Sequence, residues 1–291
     1  MKQSIVTKMG VVVLVMALSS GYLALAQAPN SQPQPAQAPS ATDKAKASEV
    51  TPLTLDVTPT PPPVNAEEDA AMKELRDTPN SDLEKKEQMA ESFLQKYPQS
   101  RYRPELFLFL EQAYLSTGQA DKLEATGNKA LEMNPNDAIT LATVGFSIPR
   151  AVNPKTPDAQ KRWDKAEQYC KKALDILPTL PKPEDAPDDK FVQAKNQAAA
   201  MAYSGLGVTA FRRGNYAEAI TNLNQAVRMD AMSDPVNYYI LGIANQKTAH
   251  YEDAAAAFTK CAASPGGLQS SCKSGIEEAK KLATTQLSAP K

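Results

Sequence analysis

One histidine, His250, serves the whole chain of 291 residues, and its scarcity removes the commonest catalytic designs. A nucleophile activated by an oriented base, or a zinc ion held by several close ligands, needs partners that the residues around His250 do not offer. No Gly-x-Gly-x-x-Gly follows a strand-like run and no phosphate-loop signature occurs, so no nucleotide cofactor is expected. Charge of one sign is also missing. The 32 basic residues stand against 33 acidic ones, and 30 against 33 once Lys2 and Lys8 are set aside with the first segment, which leaves no basic surplus for nucleic acid. The carboxylates are scattered along solvated faces with no spacing that pairs them for acid–base work. The expectation is a chain with no catalytic residue, no metal and no cofactor. Cysteine (three), tryptophan (Trp163 alone) and aromatics as a class (6%) are sparse, whereas alanine is abundant, as close helix packing demands.

Residues 1–26 contain Lys2 and Lys8, an apolar run from Val11 to Ala26, and Ala24-Leu25-Ala26 before Gln27, without an acidic residue. This is the pattern of a secretory signal peptide, and export to a bacterial periplasm or the exterior is expected. The alternative is an uncleaved inner-membrane anchor over residues 9–26, at the lower edge of the roughly 17–25 residues that span a bilayer. Residues 27–65 are dominated by Pro, Gln, Ala, Ser and Thr, with Pro61-Pro62-Pro63 near their end, and are expected to form a disordered tether.

The remainder repeats. Ala113-Tyr114-x3-Gly118 followed by Lys129-Ala130-Leu131-x3-Pro135 returns as Leu206-Gly207, Gly214-x-Tyr216, Ala219 and Ala226, and again as Leu241-Gly242, Tyr251, Ala254 and Phe258. The period is about 34 residues. Each unit resembles a tetratricopeptide repeat, a pair of antiparallel helices that stacks on its neighbours. The resemblance implies an all-α, right-handed superhelical solenoid of helical hairpins, expected over residues 66–285. A degenerate hairpin (66–98) is followed by repeats at 104–136, 138–178, 200–233 and 235–264 and by a capping helix at 268–285. The third unit departs from the pattern between Pro149 and Thr156, an insertion that is either a tolerated loop or a functional one. A long helix is expected from Asp188 to Arg213 after the proline-rich break at Pro181-x-Pro183. The stretch Phe93 to Gly118 is also similar to repeats of bacterial envelope proteins that assist outer-membrane assembly or coordinate wall synthesis.

Cys261 and Cys272 lie nearly symmetrically about the Pro265-Gly266-Gly267 turn between two antiparallel helices, so a disulfide is expected, the alternative being two small core residues. Cys170 falls where the last repeat has Phe258 and is expected to be a buried free thiol.

A tetratricopeptide array implies a concave groove lined by the first helix of each unit. By register, its lining includes Leu108, Gln112 and Leu115, then Val208, Phe211 and Arg212, then Tyr239, Ile243, Gln246 and Lys247. Exposed aromatics beside cations suit an extended peptide or a partner helix. For Phe211 the alternative is packing against the neighbouring unit. The lysine and asparagine set with which some chaperone-binding relatives clamp a terminal carboxylate is not reproduced. The function expected is non-catalytic protein binding through this groove. The other readings are an envelope assembly or wall-coordination factor, a structural spacer, and an exported enzyme with its site in the insertion.

Overall fold

A computed structural model describes residues 65–183, 186–229 and 234–288. The expected signal segment and residues 27–64 of the expected tether lie outside these residues. Eleven α-helices account for the described chain: α1 (Ala66–Asp77), α2 (Leu83–Lys96), α3 (Arg103–Thr117), α4 (Ala120–Met133), α5 (Ala138–Ala151), α6 (Ala159–Ile176), α7 (Asp188–Arg212), α8 (Tyr216–Met229), α9 (Pro235–Lys247), α10 (Tyr251–Ala263) and α11 (Gln269–Ser288). Consecutive helices pair into five hairpins and α11 stands alone at the end, an all-α solenoid. Among the described residues, no helix is long and apolar enough to cross a membrane.

Turn chemistry recurs with the repeat. Gly118 (φ 72°) ends α3 and Gly214 (φ 81°) follows α7, each in the left-handed region that glycine occupies without a steric cost. Ala249 holds the equivalent place after α9 at φ 60°, where its Cβ costs about 1–2 kcal/mol. In the third unit this position belongs to Val152, and there the turn is replaced by the longer connection from α5 to α6. The departure from the pattern begins later than Pro149. Pro149 lies inside α5 and is buried, and the helix runs on to Ala151. Proline has no N–H for the Gly145 carbonyl one turn back. That carbonyl instead faces α7, so near that a Cβ on Gly205 would stand 2.7 Å from its oxygen.

This crossing brings two backbones close together. The Cys170 sulfur of α6 fills the space beside both glycines, 2.4 Å from where a Cβ on Gly145 would be and 2.6 Å from one on Gly205. Cys170 is a fully buried free thiol whose pKa burial pushes up to about 12. Gly242 gives room of another kind, since a Cβ there would meet the Phe258 ring, whereas one on Gly207 would meet both the Leu223 side chain and its backbone nitrogen.

The arrangement has two rows. α3 touches α5, α5 touches α7, α7 touches α9 and α9 touches α11, whereas α4, α6, α8 and α10 have no contact of similar extent with one another. Each outer helix wedges between two inner ones, so the array bends with its inner row on the concave side. The core is correspondingly segmented. One cluster runs from Met72 on α1 to Ala166 on α6, a second from Leu131 on α4 to Leu206 on α7, and smaller ones continue to Ala279 on α11.

The cap is held covalently, because Cys261 of α10 and Cys272 of α11 form a disulfide across the last turn, their Cα atoms 5.9 Å apart. Ala254 and Phe258 of α10 pack with Ala279 and Ile276 of α11 in one apolar cluster of the cap. Closing a loop this short removes denatured-state entropy worth about 3 kcal/mol. The Cys261→Ser, Cys272→Ser double variant should therefore lose about 3 kcal/mol in urea unfolding. In the native wild type no thiol should react with iodoacetamide, and in denaturant without reductant Cys170 alone should.

Candidate functional site

The inner row presents α3, α5, α7 and α9 side by side, and the residues that point away from the outer helices form its surface. Leu108, Gln112 and Leu115 on α3 are half-buried there, and Phe146 of α5 is half-buried with the Arg150 guanidinium 3.7 Å from its ring centroid. Arg212 is exposed at the last turn of α7, where its Nε donates to the Pro149 carbonyl at 3.2 Å. On α9, Tyr239, Ile243 and Gln246 are half-buried and Lys247 is exposed. Ten residues were expected to line the groove by register, and all of them but Val208 keep accessible surface on their own helices.

Val208 does not. It is 1% exposed and packs with Leu223, Leu241 and Ala257, because α7 is covered by α8 on one side and α9 on the other at this level. Phe211 is half-buried and divided in role. Its ring lies 5.7 Å from that of Tyr216 in an edge-on contact and packs against the cluster of Ala210, Ala219 and Ala244. Cys261 and Cys272 lie in the cap, away from the groove of α3 to α7. His250 sits exposed before α10, its Nδ1 3.0 Å from Thr248 Oγ1. Among the described residues no group of three or more His, Cys, Asp or Glu is placed to hold a metal ion.

Between the inner helices runs a polar seam that periodicity did not reveal. Arg150 of α5, with only 17% of its side chain exposed, donates to Ser204 Oγ of α7 at 2.7 Å and to Asn237 Oδ1 of α9 at 2.8 Å. It also pairs with Asp234 Oδ2 at 3.3 Å, and Ser204 bonds Asn237 directly. One guanidinium thus ties three successive repeats. Desolvation pulls its pKa below the ordinary arginine value and Asp234 opposes the shift, so the group stays charged. Fixing the rotation of α5, α7 and α9 fixes the shape of the groove they line. The available signal was a run of polar residues, Ser204 and Asn237, at positions of inner helices that face each other.

A second polar contact joins α3 to α5. Glu111 is 1% exposed, and the Thr140 hydroxyl lies 3.1 Å from its Oε2 and 3.3 Å from Asp137 Oδ2. Burial, reinforced by the Asp137 charge, pushes the Glu111 carboxyl up to about 8 against the Thr140 hydrogen bond. The Thr140 hydroxyl donates to Glu111, whose carboxyl nonetheless keeps its proton to higher pH than an exposed glutamate does, and Asp137 accepts from the Ile139 and Thr140 N–H groups as the cap of α5.

Comparisons with known proteins bear on one unit directly. Residues 200–231 match the tetratricopeptide repeat family. A search of curated proteins returned no match. Among solved structures, MamA from Desulfovibrio magneticus RS-1 is 15% identical with a TM-score of 0.47, covering 68% of this chain and 94% of that one. PilW, a type IV pilus biogenesis factor, is 16% identical at 0.46, covering 77% and 94%. A thermophilic tetratricopeptide protein of Thermus thermophilus, TTC0263, is 15% identical at 0.44, covering 73% and 98%.

Two outcomes follow from the seam. Arg150→Ala leaves Asp234 and Asn237 without their shared donor and should cost about 2–4 kcal/mol in chemical denaturation, whereas Arg150→Met, which leaves a smaller void between α5 and its neighbours, should cost less. Glu111 has a folded pKa above its unfolded one. The native state therefore binds the extra proton between roughly pH 4.5 and 8, and the stability this group contributes is full below that window and lost through it. The loss should be on the order of a few kcal/mol. Glu111→Gln should flatten that part of the stability–pH curve, as thermal unfolding from about pH 4 to 9 would register.

Proposed function

We propose that this chain, a tetratricopeptide-repeat protein, is a non-catalytic protein-interaction scaffold of the bacterial envelope, binding a partner segment along the inner face of α3, α5, α7 and α9. The observation that carries this reading is the inner face itself. Half-buried apolar side chains (Leu108, Leu115, Phe146, Tyr239 and Ile243) stand there with exposed cations (Arg212 and Lys247), and three of the four helices, α5, α7 and α9, are locked in rotation by the Arg150 seam. Such a surface loses little conformational entropy on binding, and preorganisation of that kind raises affinity without additional contacts. Partial burial of the apolar groups leaves area that a docking peptide or helix can remove from water.

Export supports the envelope part of the proposal on two grounds. The first 26 residues carry the basic start, apolar run and Ala24-Leu25-Ala26 site of a signal peptide, and the Cys261–Cys272 disulfide belongs to an oxidising compartment. A role in envelope assembly or wall coordination is a finer form of the same binding function.

The test is crosslinking and pull-down from native envelopes with wild type and an Arg212→Ala, Ile243→Ala, Lys247→Ala variant of equal helicity. A discrete partner captured by the wild type and reduced at least about tenfold in the variant is the expected outcome. Equal capture by both would move the binding surface off the inner face.

A further inference from the structure

Where α11 closes the row, the inner face deepens into a cleft of about 350 Å³, at the low end of the roughly 300–1,000 Å³ of ligand sites. Tyr239, Ile243 and Gln246 of α9 form one wall, Phe258 of α10 the floor, and Ser270, Ser271, Ser274, Gly275 and Glu278 of α11 the other wall. Two properties set it apart from the open groove. Among the described residues, Glu278 is the only charged one lining it and is exposed without an ion pair, while its neighbour Glu277 has Lys280 at 4.0 Å, and Gln246 Nε2 is buried without a hydrogen-bond partner.

We propose that this cleft receives one basic side chain, lysine or arginine, of the protein partner, with its cationic head on Glu278. The inference rests on the groove reading and names the chemistry of one contact within it. The aliphatic stem of such a side chain matches Ile243 and the Tyr239 ring, which is tilted 58° to the Phe258 ring at 6.0 Å between centroids. The head then meets the one carboxylate present, as a charge-assisted hydrogen bond requires. A carbonyl of the bound segment supplies the acceptor that Gln246 lacks. A glutamate or aspartate in the same place would meet Glu278 as a like charge, and an alanine-sized residue would leave the walls unfilled. Gly275 keeps the floor open, because Phe258 lies 2.9 Å from where its Cβ would be and any side chain there would contend with the ring.

The experiment is an array of immobilised peptides of one apolar-rich sequence, varied only at a central residue. It is read with the full chain as wild type, Glu278→Gln, Glu278→Lys, and a Tyr239→Ala, Ile243→Ala groove variant. Glu278 is exposed on α11, so its replacement leaves the core intact, and circular dichroism checks this. Wild type should retain lysine and arginine peptides about tenfold more strongly than norleucine or glutamate ones. Glu278→Gln should erase the preference, and Glu278→Lys should move it toward glutamate. A wild-type preference for acidic or neutral residues, or one that persists in Glu278→Gln, overturns the proposal. If binding without charge preference is still lost in the groove variant, the groove reading survives alone. If no peptide binds, or the groove variant binds as wild type does, both fall.

Discussion

Close approach of α5 and α7 is the constraint on which the rest of the molecule rests. Gly145 and Gly205 have no side chains at the crossing, and Cys170 is small enough to fill what they leave. Any larger group there would push the first three hairpins from the last two. Because Pro149 frees the Gly145 carbonyl, the crossing is also where α5 gives up a hydrogen bond of its own in order to meet a neighbour. The long α7 then serves as a spine, with its first turns beside α6 and its last turns between α8 and α9.

With that distance set, the polar seam sets orientation. Apolar contacts between helices tolerate some rotation, since dispersion and burial have little directionality. Arg150 does not, because its donors must meet Ser204, Asn237 and Asp234 at once. An extended array that lacks a central core gains definition in this way. Shape along the inner row is held by a few directional bonds, while stability is distributed over the segmented clusters.

Much of this was legible in the chain. The hairpin boundaries follow from small-residue periodicity and from glycine after α3 and α7, and the long α7 from the proline break before it. The inner surface was legible only by register, and register fails where helices are unequally covered. Val208 stands in line with Ile243, yet the unequal packing of α8 and α9 about α7 buries it. Pro149 misled for a local reason, since a proline ordinarily ends a helix, and the Gly145 carbonyl that it frees faces Gly205, 56 residues beyond the proline. Arg150 was hidden by the same error. Once assigned to a loop, it could not be recognised as the link between three helices.

The two ends of the array are fastened by different chemistry. At the start, α1 is tied by ion pairs between Arg76 and Glu105 and between Arg101 and Asp69, partly exposed and open to screening by salt. At the finish, α11 is tied by a covalent bond that salt does not touch. A linear stack frays from its weaker end, so unravelling has a direction in this molecule. Rising ionic strength loosens α1 and α2 first and leaves α10 and the capping α11 as the last ordered pair of helices. Force applied through the amino terminus would peel the repeats in the order in which they are numbered.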